Sequence, residues 1–159
     1  MTTGRQVVGL VIALVATFAA AAVGGLGMGG QVEGWYRTLE RPAWTPPDWL
    51  FGPVWTVLYT LMAVAAYLVW RRGGWGGARL ALGLYAVQLV LNAAWTPVFF
   101  GLREIGWALV VLAALWLMIV ATTVAFFRKS VPAGVLLLPY LAWTTFAGVL
   151  NFTLWRLNT

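Results

Sequence analysis

The sequence predicts an all-α integral membrane protein: a single domain over residues 1–159, a five-transmembrane-helix bundle whose long first loop acts as a lid. Three observations carry that prediction. The chain is 62% hydrophobic and only 9% charged, where a soluble domain carries about 25% charged residues. Its ten basic and four acidic residues stand at or beyond the ends of apolar runs. Each run is about 20 residues long, which is what a helix needs to cross a hydrocarbon layer about 30 Å thick. No run alternates polar and apolar residues with period two, which sets aside a barrel. Irregular backbone cannot face lipid, so helices remain.

The predicted spans are 7–26, 49–70, 80–100, 105–127 and 131–155, with a lid loop over 27–48. The first run resembles a signal peptide. Its apolar stretch is longer than the usual core of about 7–15 residues, so it is expected to stay as a helix. Ala16, Ala20 and Gly24 repeat along it at four-residue spacing, a pattern suited to close helix contact in lipid. An odd number of spans puts the termini on opposite sides. Arg5, Arg71, Arg72, Arg79, Arg128 and Lys129 fall on the side of the N-terminus, against Arg37, Arg41, Arg103 and Arg156 on the other. That excess places the N-terminus in the cytoplasm. The protein is expected to be multi-pass, in a bacterial inner or outer membrane.

The net charge of +6 does not point to nucleic acid, because the basic residues are scattered through short connections without forming a face. They fit lipid headgroups and topology signals. The chain has no histidine and no cysteine. That removes disulfides, thiolate chemistry, the usual zinc ligands and the usual proximal haem ligand. No metal site and no required cofactor are expected.

The loop 27–48 is far longer than the other connections. Gly27, Gly29, Gly30 and Gly34 are expected to break any helix there, and Pro46 and Pro47 to stiffen the descent into the second span. Long loops of this kind commonly serve as lids, and a plain spacer has no need of Trp35, Tyr36 and Trp44.

Inside the spans, polar side chains must find partners or face the interior. In the third span Tyr85, Gln88, Asn92, Trp95 and Phe99 are spaced 3, 4, 3, 4 and share one helix face. In the fifth, Tyr140, Trp143, Ala147, Leu150 and Leu154 do the same, with Asn151 beside them. The second adds Phe51, Trp55, Tyr59 and Met62. Each amide alone reads as glue between helices. Three aromatic stripes together with a lid read as a small-molecule cavity. Pro97 and Pro139, inside their spans, are expected to kink them.

The stretches WYRTLERPAWTPPDWLFGPVWTVLYTLM, QLVLNAAWTPVFFG and LLPYLAWTTFAGVLN, with eleven tryptophans in the chain, resemble the tryptophan-rich sensory protein family (TspO/MBR). Its animal members are the translocator proteins, or peripheral benzodiazepine receptors. The resemblance runs from Trp35 to Trp155. It implies a five-helix bundle, often a homodimer, that binds porphyrins such as protoporphyrin IX, haem, benzodiazepine-type ligands and, in some members, cholesterol. It further implies a role in regulating tetrapyrrole metabolism. By motif the ligand-binding positions fall on Tyr36, Trp55, Asn92, Trp95, Trp143, Ala147 and Leu150. Phe51 and Gln88 follow from helix spacing. The family's proposed cholesterol signature is incomplete, since Phe152 and Thr153 stand where a tyrosine is required before Arg156.

Three function classes follow. As a receptor, the protein would take a wide apolar porphyrin plate between aromatic rings, with Arg37, Arg41 and Arg103 at the rim for propionates. As an enzyme it would lack acid–base, thiol and metal routes. Light-driven oxidation through Trp55 and Trp143 is then the one chemistry left. A coupled porphyrin or sterol transporter would usually carry ionisable residues within its spans, and these spans have none, which leaves a passive path between helices as the transport alternative. The receptor reading is preferred, with membrane lipid as the other expected partner.

Overall fold

The computed structural model describes residues 1–28 and 30–159; Gly29, one of the glycines expected to break the lid, lies outside the described residues. The five spans form α1 (Thr3–Leu26), α2 (Asp48–Gly77), α3 (Arg79–Thr96), α4 (Ile105–Lys129) and α5 (Val131–Leu157). All are long and apolar enough to cross a membrane, α3 together with the turn that continues it to Gly101. No strand occurs among the described residues.

The helices close into a ring in the order α1, α2, α5, α4, α3, each packed mainly on its two neighbours. The faces of α2, α3 and α5 that carry the aromatic stripes meet inside. Met62, Tyr140, Gln88 and Asn151 are almost fully buried there.

Helix ends follow local chemistry. Pro47, extended at ψ 144°, precedes α2 and places Asp48 in its first turn, where a carboxylate suits the positive end of the helix dipole. Arg128 and Lys129 occupy the last turn of α4, the end that favours cations. A single residue, Ser130, separates α4 from α5, and its hydroxyl accepts from the Ala133 amide at 3.4 Å, a side-chain N-cap.

Four expectations change. The first loop, expected to act as a lid, is partly helical, with a π-helical turn over Val32–Tyr36; Gly30 and Gly34 do not keep it irregular, because Trp35 and Tyr36 gain burial by coiling onto the bundle. The connection 71–79 is largely helical too. α2 runs on to Gly77 through a break at Gly74, whose φ of +57° lies where glycine alone is unstrained. Pro97 does not kink a continuing α-helix: α3 ends at Thr96 and the chain widens into a π-helical turn, Pro97–Gly101. That turn leaves Phe99 and Phe100, adjacent in sequence, both buried.

The small-residue face of α1 also differs from expectation. Ala16 is exposed, while Thr17 and Gly24 are buried and Ala20 packs on the core. Thr17 shares a hydrogen bond of 2.6 Å with the Tyr85 hydroxyl of α3, and that bond sets the rotation of the helix. Gly9 lies under the Trp70 ring, where a Cβ would collide with it.

Candidate ligand site

The residues picked out by the stripes come together in two adjoining layers. Trp55, Trp143 and Ala147 pack on the main core that contains Tyr140 and Leu137; Tyr36 and Leu150, with Phe51 against them, belong to a second core nearer the lid. Trp95 touches both cores. It stacks on Phe99 at a ring separation of 5.1 Å.

The deeper layer is tied by a chain of hydrogen bonds across three helices. The Tyr59 hydroxyl donates to Asn92 Oδ1 at 2.7 Å. Asn92 Nδ2 donates to the Tyr140 hydroxyl at 2.8 Å, which donates in turn to Gln88 Oε1 at 2.7 Å. The chain explains why amides sit in hydrocarbon: each links helices at about 0.6–2 kcal/mol. One donor is left over, because Gln88 Nε2 is buried without a partner among the described residues. Trp55 lies on this layer, stacked on Tyr59 at 5.4 Å and edge-on to Tyr140 at 6.2 Å.

A parallel link uses Asn151. Its Oδ1 accepts from Trp95 Nε1 at 3.1 Å, and its Nδ2 donates to the Ile105 carbonyl of α4 at 3.0 Å. Trp143 stands between Phe51 of α2, at 6.0 Å, and Phe146, at 5.4 Å. Phe146 in turn meets Trp44 of the lid at 5.8 Å. A continuous run of rings thus leads from α2 across α5 to the lid. Tyr59, Tyr140 and Asn151 were visible in the sequence as members or neighbours of the stripes, yet periodicity alone could not assign them partners.

The first loop is held by rings below and polar clasps around its edge. Tyr36, 4% exposed, packs on Phe99 and Phe100 at 6.3 and 5.6 Å, and Trp35 meets Phe99 at 5.7 Å. Arg37 and Arg41 both reach the Asp48 carboxylate, at 3.2 and 3.5 Å. Arg41 also stands over the Tyr36 ring at 5.2 Å. Burial pushes the Tyr36 phenol above its ordinary value, against the opposing pull of Arg41. Arg103 bonds twice to Gln31 Oε1, at 3.2 and 3.0 Å.

One clasp had no signal in the sequence. The Asn158 side chain pairs with the backbone of Glu40 as a second peptide would, accepting from its amide and donating to its carbonyl, both at 2.9 Å. Two hollows flank the lid. One, of 490 Å³, is lined by Arg41, the lid prolines and Asp48. The other, of 610 Å³, lies between the lid, α4 and the end of α5. Neither is lined by Trp55, Asn92 or Trp143; Trp55 and Asn92 both meet Tyr59 and Tyr140 instead, and Trp143 meets Phe51 and Phe146. Among the described residues there is no cluster of acidic side chains able to hold a metal ion.

A ring of five apolar helices around an aromatic, amide-linked interior defines an integral, multi-pass membrane protein. Comparison places it further: the chain belongs to the TspO/MBR family, whose pattern matches residues 11–156. It is 49% identical over 131 residues to the translocator protein of Homo sapiens, a match that covers 81% of this chain and 78% of that protein. It is 48% identical over 124 residues to the tryptophan-rich sensory protein of Cereibacter sphaeroides, with 78% and 77% covered. It is 41% identical over 141 residues to protein CrtK of Rhodobacter capsulatus, with 88% of each chain covered.

Proposed function

We propose that the protein is a membrane receptor for flat tetrapyrroles of the porphyrin class, protoporphyrin IX or haem, and for planar benzodiazepine-type aromatics. In this reading the ligand enters between the aromatic faces of α2, α3 and α5, and its level is reported as a signal that regulates tetrapyrrole metabolism. The observation that carries the reading is the meeting of Trp55, Trp95 and Trp143 with the amides of Gln88 and Asn92 in one interior. Aromatic walls with a few directed polar groups are how small-molecule sites are usually built. The unpaired Gln88 Nε2 is a donor ready for a ligand oxygen, since a buried donor without a partner costs about 1–3 kcal/mol.

Trp55 is packed on Tyr59 and Tyr140, and Trp143 on Phe51 and Phe146, so admitting a plate requires these rings to part. The second layer of Tyr36, Leu150 and Phe51 carries no side-chain hydrogen bond among these residues, so parting there leaves the amide chain intact. Two guanidinium groups, Arg37 and Arg41, share one carboxylate at Asp48. One positive charge is therefore left at the rim for a propionate; Arg103, the third expected contact, lines the separate hollow beside α4. The printed name of the Cereibacter sphaeroides relative, a sensory protein, agrees with a reporting role. We extend the reading to a homodimer in the membrane.

The test is a tryptophan-fluorescence titration of the full chain with protoporphyrin IX, on wild type, Asn92→Leu and Trp143→Ala. Saturable quenching weakened by both changes supports a defined site, whereas non-saturating quenching unchanged by either is partitioning into detergent and overturns it. Arg41→Ala is expected to weaken protoporphyrin more than an uncharged aromatic ligand; equal losses remove the propionate role.

One observation favours a second reading, photo-oxidative breakdown of porphyrin: Trp55 is stacked on Tyr59, so two oxidisable rings adjoin the proposed site. Conversion of many equivalents of porphyrin per protein under light, stopped by Trp143→Phe, would establish it. Bleaching that proceeds alike in a Trp55/Trp143 double mutant would end it.

A further inference from the structure

The groove of 610 Å³ beside the lid is separate from the aromatic interior, and its lining is amphipathic along one direction. At its outer end stand Arg103 and Glu104, and at its inner end Trp107 and Val110 of α4; Trp35 and Leu39 form the lid-side wall. Trp107 and Val110 are 66% and 56% exposed, so the inner end opens toward the hydrocarbon of the membrane that α4 crosses. An occupant must be charged at one end and oily at the other, and the volume is that of an ordinary small-ligand site, about 300–1,000 Å³.

The two charges are chemically distinctive. Arg37 and Arg41 are paired with Asp48, whereas neither Arg103 nor Glu104 has an ion-pair partner among the described residues. Two guanidinium nitrogens of Arg103 go to the single neutral oxygen of Gln31, and its guanidinium stands over the Trp35 ring at 5.9 Å, contacts that bring no negative charge to it. Arg103 is also the one non-glycine residue with positive φ among the described residues, at +57°. Such strain costs about 1–3 kcal/mol and gathers at ligand clamps.

We propose that this groove binds a zwitterionic phospholipid carrying a primary ammonium headgroup, phosphatidylethanolamine in chemical class. Arg103 takes the phosphate, Glu104 the ammonium, and an acyl chain follows Trp107 and Val110 along α4. A carboxylate accepts hydrogen bonds from a primary ammonium, which has three donors; a quaternary choline has none, and a glycerol headgroup brings hydroxyls but no positive charge to offset that of Glu104. Because Trp35 and Leu39 belong to the lid, the lipid bridges the lid to α4 and steadies its closed position.

The experiment is native mass spectrometry of the delipidated full chain in detergent, titrated separately with phosphatidylethanolamine, phosphatidylcholine and phosphatidylglycerol. Wild type is expected to hold the ethanolamine lipid about tenfold more tightly than the choline lipid, the scale of one charge-assisted hydrogen bond. Glu104→Gln should abolish that preference, and Arg103→Gln should weaken both lipids. Arg103→Gly relieves the positive φ, so it keeps the fold while still losing the lipid. Equal retention of all three lipids, a preference for phosphatidylglycerol, or retention unchanged in Glu104→Gln and Arg103→Gly overturns the assignment.

Discussion

The middle of the bundle and the lid are built from the same residue types, aromatics and a few amides, yet they are held by different physics. In the middle, the chain from Tyr59 through Asn92 and Tyr140 to Gln88 lies among three helices, part-buried at Tyr59 and buried beyond it. At the lid, the Arg37 and Arg41 pairs with Asp48 and the Asn158–Glu40 pair involve exposed groups, where each contact contributes about 0–1 kcal/mol. The interior is therefore expensive to rearrange and the lid cheap. That division suits the ligand entry proposed above.

Asn92→Leu is the most severe way to break the contrast. It leaves the hydroxyls of Tyr59 and Tyr140 without their amide and is expected to cost about 2 kcal/mol of bundle stability, read by denaturant unfolding in detergent. A cost near zero would mean that the buried chain is worth no more than a surface contact. Asn158→Ala should cost about 1 kcal/mol, all of it local: amide exchange at Glu40 should rise several-fold while the bundle unfolds as before. If global stability falls as far as in Asn92→Leu, lid and core are one cooperative unit.

Asp48→Asn comes next, with an expected loss below about 1 kcal/mol that shrinks as salt is added, because the pairs are exposed and screened. A salt-independent loss would place those arginines in a drier setting than the rest of the lid edge. The smallest effect concerns pH. Burial raises the Tyr36 phenol above its ordinary 10.0, so the folded state resists ionisation. Lid docking is then fully present below pH 10 and is lost as pH rises through the raised value. Protease access at the loop should rise with pH in wild type and not in Tyr36→Phe, and tyrosinate absorbance should lose only the part that Tyr36 contributes.

Much of this organisation was legible in the residues because its signals are local. Charge-free runs mark spans, and the 3–4 spacing of Trp55, Asn92 and Trp143 with their neighbours marks an inward face whatever lies opposite. The lid's helical turn was not legible. Gly30 and Gly34 speak for irregular backbone, and only contact with Phe99 and Phe100 favours coiling. Pro97 likewise announces a disturbance without saying that a wider turn will follow it. Ala16 and Thr17 show the limit on α1, where small-residue spacing suggested one face and a hydrogen bond to Tyr85 selected its neighbour.

The sequence alone determined the solvent in which the protein lives, the number of crossings, and which face of α2, α3 and α5 turns inward, since hydropathy and periodicity are properties of neighbours along the chain. Tertiary structure decided the ring order of the helices, the partner of each amide and the fastening of the lid. Those are pairings across distance, 33 residues from Tyr59 to Asn92 and 118 from Glu40 to Asn158. A side chain's need for a hydrogen-bond partner is written in its own chemistry, and the partner's identity is written only in the packing.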